Sequence, residues 1–180
     1  MLESNRITKT IILSLLFIFV FSCKQESSLS TDINNSKEVF DKNCETIKSY
    51  VQSFCIENID YERFFSDSAI IKGTTYGAKN EMNVEDQKLN HKQLWKKYEF
   101  FVSYPLNILP GVNPETKQPD GSARLYANLV VKLKEPGKDF RERKTVVIPM
   151  YESFDFDDNG KIIYYQYYGD FTASLQSLER

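Results

Sequence analysis

The chain has 180 residues, with 25 acidic and 23 basic side chains, a single histidine and a formal charge of −2. That near balance, with no basic run, argues against nucleic-acid binding, which needs a clustered Lys/Arg footprint. With 13 Phe and 11 Tyr, the chain has ample apolar material for one domain with a true core.

The N-terminus reads as an address. Arg6 and Lys9 precede an apolar run, Ile11 to Phe21, which Ser22-Cys23 closes. A basic start, a short greasy stretch and a small residue before a cut describe a secretory signal, too short to span a bilayer stably. Val20-Phe-Ser-Cys23 resembles a bacterial lipobox, in which the cysteine thiol is acylated, as with palmitate, and becomes the new N-terminus. The resemblance implies a signal peptide over 1–22, lipidation at Cys23, and a lipoprotein anchored in the cell envelope of a Gram-negative bacterium. Lys24 stands where Asp is associated with inner-membrane retention, which favours the outer membrane. The polar, serine-rich stretch to Asn35 reads as a flexible tether, leaving 36–180 as one domain.

Asn35-Ser-Lys-Glu38 has the form of a helix start. Phe40, Cys44, Ile47, Val51, Phe54 and Cys55 then recur at helical spacing. On one helix Cys44 and Cys55 lie about 16 Å apart along the axis, beyond the roughly 7 Å that a disulfide allows between Cα atoms. Both are expected as free thiols. A second short helix follows from Asn58 to Phe65, and Ala69 to Thr75 is strand-like. Asn83 opens a third helix, whose inner face is expected to carry Val84, His91, Leu94, Trp95, Tyr98 and Val102.

Pro105 forbids helix around it, and Leu106 to Leu109 reads as extended. Pro110 to Gly121 is expected to be a long turn-rich connection. Ala123 to Lys134 alternates apolar and polar residues, the period of a half-buried strand. After a turn at Glu135-Pro-Gly, Phe140 to Phe156 returns. Asp157-Asp-Asn-Gly160 makes a tight hairpin, and Lys161 to Phe171 is the final strand. Three helices with an early strand and then a meander of antiparallel strands imply an α+β fold, a strongly bent sheet wrapped around the helices.

This order, with three local patterns, resembles the nuclear transport factor 2-like (NTF2-like) superfamily, also called SnoaL-like, over roughly Glu38 to Phe171. Asn58-Ile-Asp-Tyr-Glu-Arg-Phe-Phe-Ser-Asp-Ser-Ala69 is similar to its second-helix signature. Gly73 to Gly77 sits where the family leaves its first strand, and Gly160-Lys-Ile to Asp170 resembles its closing strand. The resemblance implies a cone with a cavity between sheet and helices, often dimeric through the sheet. In the steroid-isomerase branch a tyrosine on the first helix and an acid eight residues before the last hairpin glycine hold a developing enolate. A separate acid after the first strand moves the proton. By motif, Tyr50 takes the first position and Glu152 the second, but Gly73 stands where the base belongs. Oxyanion donors without a base cannot shuttle a proton. Tyr50 is therefore read as a core aromatic and Glu152 as solvent-facing, because a one-residue slip would turn it outward.

His91, beside Trp95 and Tyr98, is a hydrogen-bonded core histidine or a pocket acid–base oriented by Asp170. The tyrosines from Tyr164 to Tyr168 either cover the sheet, stack a ligand or face a second copy. Asp155 to Ile162 imitates the opening of a calcium loop, but Gln166 stands at the twelfth position, so hairpin chemistry explains the letters. One histidine without a Cys or carboxylate cluster gives no metal site, and no cofactor is expected. The candidate pocket is thus Tyr50, His91, Trp95, Tyr98, Glu152, Tyr168 and Asp170. The expected function is non-catalytic binding of a small apolar ligand or a protein partner. An isomerase or dehydratase and a structural, dimerising subunit are the alternatives.

Overall fold

The computed structural model describes residues 25–74, 77 and 79–180, with side chains from residue 36 onward. The signal run and Cys23 lie outside the described residues. The chain divides into two compact units, Met1–Glu38 and Val39–Arg180. In the first, the described residues are helical. Helix α1 runs Gln25–Cys55, so residues 25–35 are helical where a flexible tether was expected. No Pro or Gly interrupts that stretch, so nothing in it stops the helix from starting before Asn35.

The second unit contains every described strand. After α1, Glu57 takes a left-handed backbone with φ 59° and the chain reverses into the one-turn helix α2, Tyr61–Phe64, capped by Asp60. Strand β1, Phe65–Gly73, follows. Helix α3, Val84–Lys97, opens on a full capping box: Asp86 N donates to Asn83 Oδ1 at 2.9 Å, and Asn83 N to Asp86 Oδ2 at 3.4 Å. It ends earlier than expected. Tyr98 and Val102 belong to strand β2, Tyr98–Val102, because the burial period changes there from helical to alternating. Tyr98 and Phe100 face inward and pair with Leu133 and Val131 of the next long strand.

Strands β3 (Asn107–Val112), β4 (Pro119–Leu133), β5 (Thr145–Phe156) and β6 (Ile162–Tyr168) complete the sheet. The expected long connection from Pro110 shrinks to 113–118, since both its ends pair as strand, Pro110 with Ala123 and Val112 with Pro119. The stretch from Phe140 joins the sheet only at Thr145. The sheet order is β1-β6-β5-β4-β2, with β3 also on β4. All pairs are antiparallel except β1 with β6. The final strand stops at Tyr168, and an unforeseen helix α4, Phe171–Glu179, follows, capped by Asp170. The fold is α+β, a strongly curled half-barrel of sheet with helices on its concave side.

Two apolar clusters fill the concavity. One joins Ile47, Tyr50 and Val51 of α1 to Phe64, Phe65, Ile71, Leu125, Phe154 and Tyr165. The other gathers Tyr98, Phe100, Leu129, Val131, Ile148, Met150 and Leu178. Each buried large side chain contributes roughly 2–3 kcal/mol of transfer free energy. Asn43, itself buried, donates to the Gly121 carbonyl at 2.9 Å. That bond ties α1 to the first residues of β4. Cys44 and Cys55 are both free thiols, as their spacing implied. Among the described residues no helix is long and apolar enough to cross a membrane.

Candidate functional site

A cavity of about 400 Å³ opens between α1, α3, α4 and the inner faces of β4, β5 and β6. Val51, Phe54, Leu94, Leu129, Met150 and Phe171 give it largely apolar walls. Exposed Gly77, Lys79 and Leu89 mark its mouth, and buried Tyr50, Glu152 and Tyr165 mark its floor. That volume lies in the range of small-molecule sites.

Glu152 corrects the solvent-facing expectation. It is only 6% exposed, because inward positions of β5 alternate through Ile148, Met150, Glu152 and Phe154. Tyr165 Oη donates to its Oε1 at 2.7 Å. Its Oε2 is buried without any partner, and leaving such an oxygen bare costs about 1–3 kcal/mol, more if charged. Burial pushes its carboxyl up to about 7, against the opposing pull of the Tyr165 hydrogen bond. At neutral pH it is therefore partly protonated, able to donate or to accept.

Tyr50 is a core aromatic, as expected, and also part of this polar floor. Its ring meets Phe64, Phe65, Phe154 and Tyr165 edge-on, with centroids 5.3–6.3 Å away. Burial, and then the charge of Glu152, raise its phenol well above the usual range.

His91 is boxed in by Phe54 and Trp95, with ring centroids at 4.9 and 5.4 Å. Nδ1 meets the Tyr61 hydroxyl at 2.7 Å and Nε2 meets the Gln87 amide at 2.7 Å. Burial lowers it to about 3, so it is neutral at any physiological pH. Asp170 is not its orienter. That carboxylate is exposed and caps α4, accepting from Ala173 N at 3.2 Å. Two hydrogen-bonded groups thus reach the cavity, Tyr61–His91–Gln87 and Tyr165–Glu152, with the Tyr50 ring packed edge-on against Tyr165.

Of the seven residues expected to form a pocket, Tyr50, His91 and Glu152 converge on this cavity. Trp95 backs His91 from behind and lies on a separate surface groove. Tyr98 is buried in β2, where its hydroxyl donates to Glu179 at 2.5 Å. Tyr168 faces outward, 40% exposed, against Tyr151. The alternation of β6 explains the division, since Tyr165 and Tyr167 turn inward while Tyr164 and Tyr168 turn out. Sequence reasoning missed Gln87 and Tyr61. Gln87 sits one helical turn before His91 on the same face of α3, a spacing that was available, but its polarity hid it among the expected apolar contacts.

Gly73 supplies no base, and its position is covered. A Cβ there would lie 2.6 Å from the Tyr167 hydroxyl. At the cavity mouth Asp86 pairs with Lys79 at 2.7 Å, and that hydrogen bond, with the one from Asn83, lowers its carboxyl. The calcium-loop imitation is a hairpin: Asp157 Oδ1 accepts from the backbone N–H of Asn159 and of Lys161, both at 2.9 Å. Among the described residues no group of three or more His, Cys, Asp and Glu is placed to hold a metal.

The backbone is similar to several solved structures. A candidate polyketide cyclase from Xanthomonas campestris pv. campestris superposes with a TM-score of 0.57 at 13% identity, over 78% of this chain and 98% of that one. Another, from Silicibacter sp., gives 0.56 at 16% identity, over 74% and 93%. An NTF2-like protein from Burkholderia xenovorans gives 0.55 at 10% identity, over 78% and 97%. No protein-family model and no curated protein matches the sequence. At these identities the likeness establishes the fold alone, the cone shape seen in NTF2-like and SnoaL-like proteins.

Proposed function

We propose that this SnoaL-like domain binds a small, mainly apolar molecule that carries a hydrogen-bonding oxygen, seated against Glu152. The observation that carries the reading is the bare, buried Oε2 of Glu152 at the floor of an apolar cavity. An unpaired carboxyl oxygen in such surroundings is costly alone and becomes favourable once a ligand hydroxyl or carbonyl meets it. The signal-like run and Cys23 support an outer-membrane lipid anchor, which would put this cavity at the cell envelope. The exposed aromatic strip of Tyr126, Tyr151 and Tyr168 on the convex side supports pairing with a second copy.

Binding is tested by calorimetric titration with naphthalene and 2-naphthol, whose hydroxyl can donate to or accept from Glu152. We expect 2-naphthol to bind at least about tenfold tighter, with the preference lost in Glu152→Leu. Equal affinities for the two probes would overturn the proposal. The anchor is tested separately, by whether Cys23→Ala releases the protein from the membrane fraction.

The raised carboxyl favours a second reading. A carboxyl that burial holds near 7 in a largely apolar cavity suits general acid–base work, so Glu152 could move a proton beside a ligand carbonyl. Deuterium uptake by 2-tetralone from heavy water, faster than the uncatalysed rate and absent in Glu152→Gln, would establish it. Uptake at the uncatalysed rate leaves binding as the function.

A further inference from the structure

We infer that the molecule bound here carries two polar groups, and that Gln87 is the specificity-determining residue that reads the second. The inference rests on the cavity-binding reading above and extends it. Gln87 is 2% exposed, and it lines the same cavity as Glu152. Its Oε1 is buried without a partner. Among the described residues the buried side-chain polar atoms left unpaired are Gln87 Oε1, Trp95 Nε1 and Glu152 Oε2. Two of these three belong to residues that line one cavity. Folded proteins pair nearly all such atoms, so two unpaired oxygens in one apolar space mark two places where a guest makes hydrogen bonds.

Both residues line one cavity of about 400 Å³, a volume of the order that one fused-ring molecule with a substituent on each ring requires.

His91 and Tyr61 are positioning residues for this contact. With the Gln87 amide nitrogen donating to His91 Nε2, the imidazole donates from Nδ1 to the Tyr61 hydroxyl, and Gln87 shows its carbonyl to the cavity. Turning the amide over is equally consistent with His91. Its carbonyl then accepts from Nε2–H, the Tyr61 hydroxyl donates to Nδ1, and Gln87 shows its NH₂. The neutral imidazole therefore holds Gln87 in place in either sense, and the second contact accepts a donor or an acceptor. A second hydroxyl on the ligand fits both.

The experiment is a calorimetric panel of dihydroxynaphthalene isomers against 2-naphthol, on the wild-type chain and on Gln87→Met, which keeps volume while removing the polar end. In the wild type we expect at least one isomer to bind about tenfold tighter than 2-naphthol or better. In Gln87→Met the diol-to-naphthol affinity ratio falls to near one, whatever happens to absolute affinity. Gln87→Glu, which keeps a hydrogen-bonding end, retains most of the ratio. If no isomer gains over 2-naphthol, or if Gln87→Met keeps the gain, the inference is wrong. Should Gln87→Met not fold, Gln87→Asn, one methylene shorter, must lower the ratio in its place. A failure of the underlying binding reading looks different, because then 2-naphthol itself gains nothing over naphthalene.

Discussion

His91 and Glu152 line one cavity, both almost fully buried, and burial drives both towards their neutral forms. They differ in what is left unsatisfied. Both ring nitrogens of His91 have partners, and aromatic rings close its surroundings. Glu152, which lines the cavity, has one oxygen paired and one buried without a partner. The histidine, the residue a reader of the sequence would choose for chemistry, is a structural clamp. The carboxylate, which pattern reading turned out to solvent, carries the functional opportunity. Burial alone does not separate the two roles; the count of unfilled hydrogen-bonding positions does.

The sharpest way to break this comparison uses pH. In the unfolded chain His91 takes up a proton near its ordinary 6.5, but in the folded protein only near 3. Stability is therefore lost as pH falls from about 6.5 towards 3, by on the order of 5 kcal/mol in all. Glu152 has the opposite sign. Folded, it keeps its proton up to about 7, whereas unfolded it releases it near 4.5. Its neutral form favours the fold at low pH, and that advantage, on the order of 3 kcal/mol, is lost as pH rises from about 4.5 through 7. Between these limits, at about 4.5–6.5, the two slopes cancel, so urea denaturation of the wild type should show little pH dependence from this pair. Glu152→Gln exposes the histidine, and stability should then climb with pH by up to about 1.4 kcal/mol per unit. His91→Gln exposes the carboxyl, and stability should fall as pH rises. Flat profiles in both variants would refute the burial-driven titration of the pair.

A smaller effect sharpens the comparison at its helix. α3 carries both Gln87 and His91, and its start is fixed by the Asn83 capping box. Asn83→Ala should cost about 1 kcal/mol of stability, measured by chemical denaturation. It should also weaken diol binding more than naphthol binding, because the polar contact that moves with α3 is Gln87. Equal weakening of the two probes would mean that Gln87 is held from elsewhere.

Much of the cone was legible in the residues. Asn83 and Asp60 announced their helices through side-chain caps, and Asp157 to Gly160 announced its hairpin, because such signals are local and chemical. The end of α3 was not legible, since Tyr98 and Val102 continue the helical spacing from His91 and Leu94. Only their pairing with Leu133 and Leu129, some 30 residues on, reveals a strand. At the site, family resemblance pairs Tyr50 with Glu152, and a one-residue register slip is enough to turn Glu152 outward. The apolar alternation of Ile148, Met150 and Phe154 already fixed its side of the sheet. Gln87 lay beyond reach for a different reason. A glutamine on an apolar face acquires meaning only from its partners, and Tyr50 approaches it from another helix.

The smallest effect expected is on the convex face, and it bounds the whole argument. Tyr126, Tyr151 and Tyr168 lie side by side there with tilted rings, centroids 5.0 and 5.5 Å apart, on the side of the sheet away from the cavity. Tyr168 is 40% exposed and touches neither His91 nor Glu152, although it stood beside them in the sequence reading. Replacing a half-exposed surface residue away from any buried network usually shifts stability by no more than about 0.5 kcal/mol. Tyr168→Ser should therefore leave both the denaturation midpoint and the 2-naphthol affinity nearly unchanged. If the strip pairs with a second copy, the same variant should instead lower the sedimentation mass at a given concentration, with probe affinity per chain still intact. A loss of naphthol affinity in Tyr168→Ser would show that the two faces of the sheet are coupled, and that the separation of ligand site from outer face drawn from the strand alternation is mistaken.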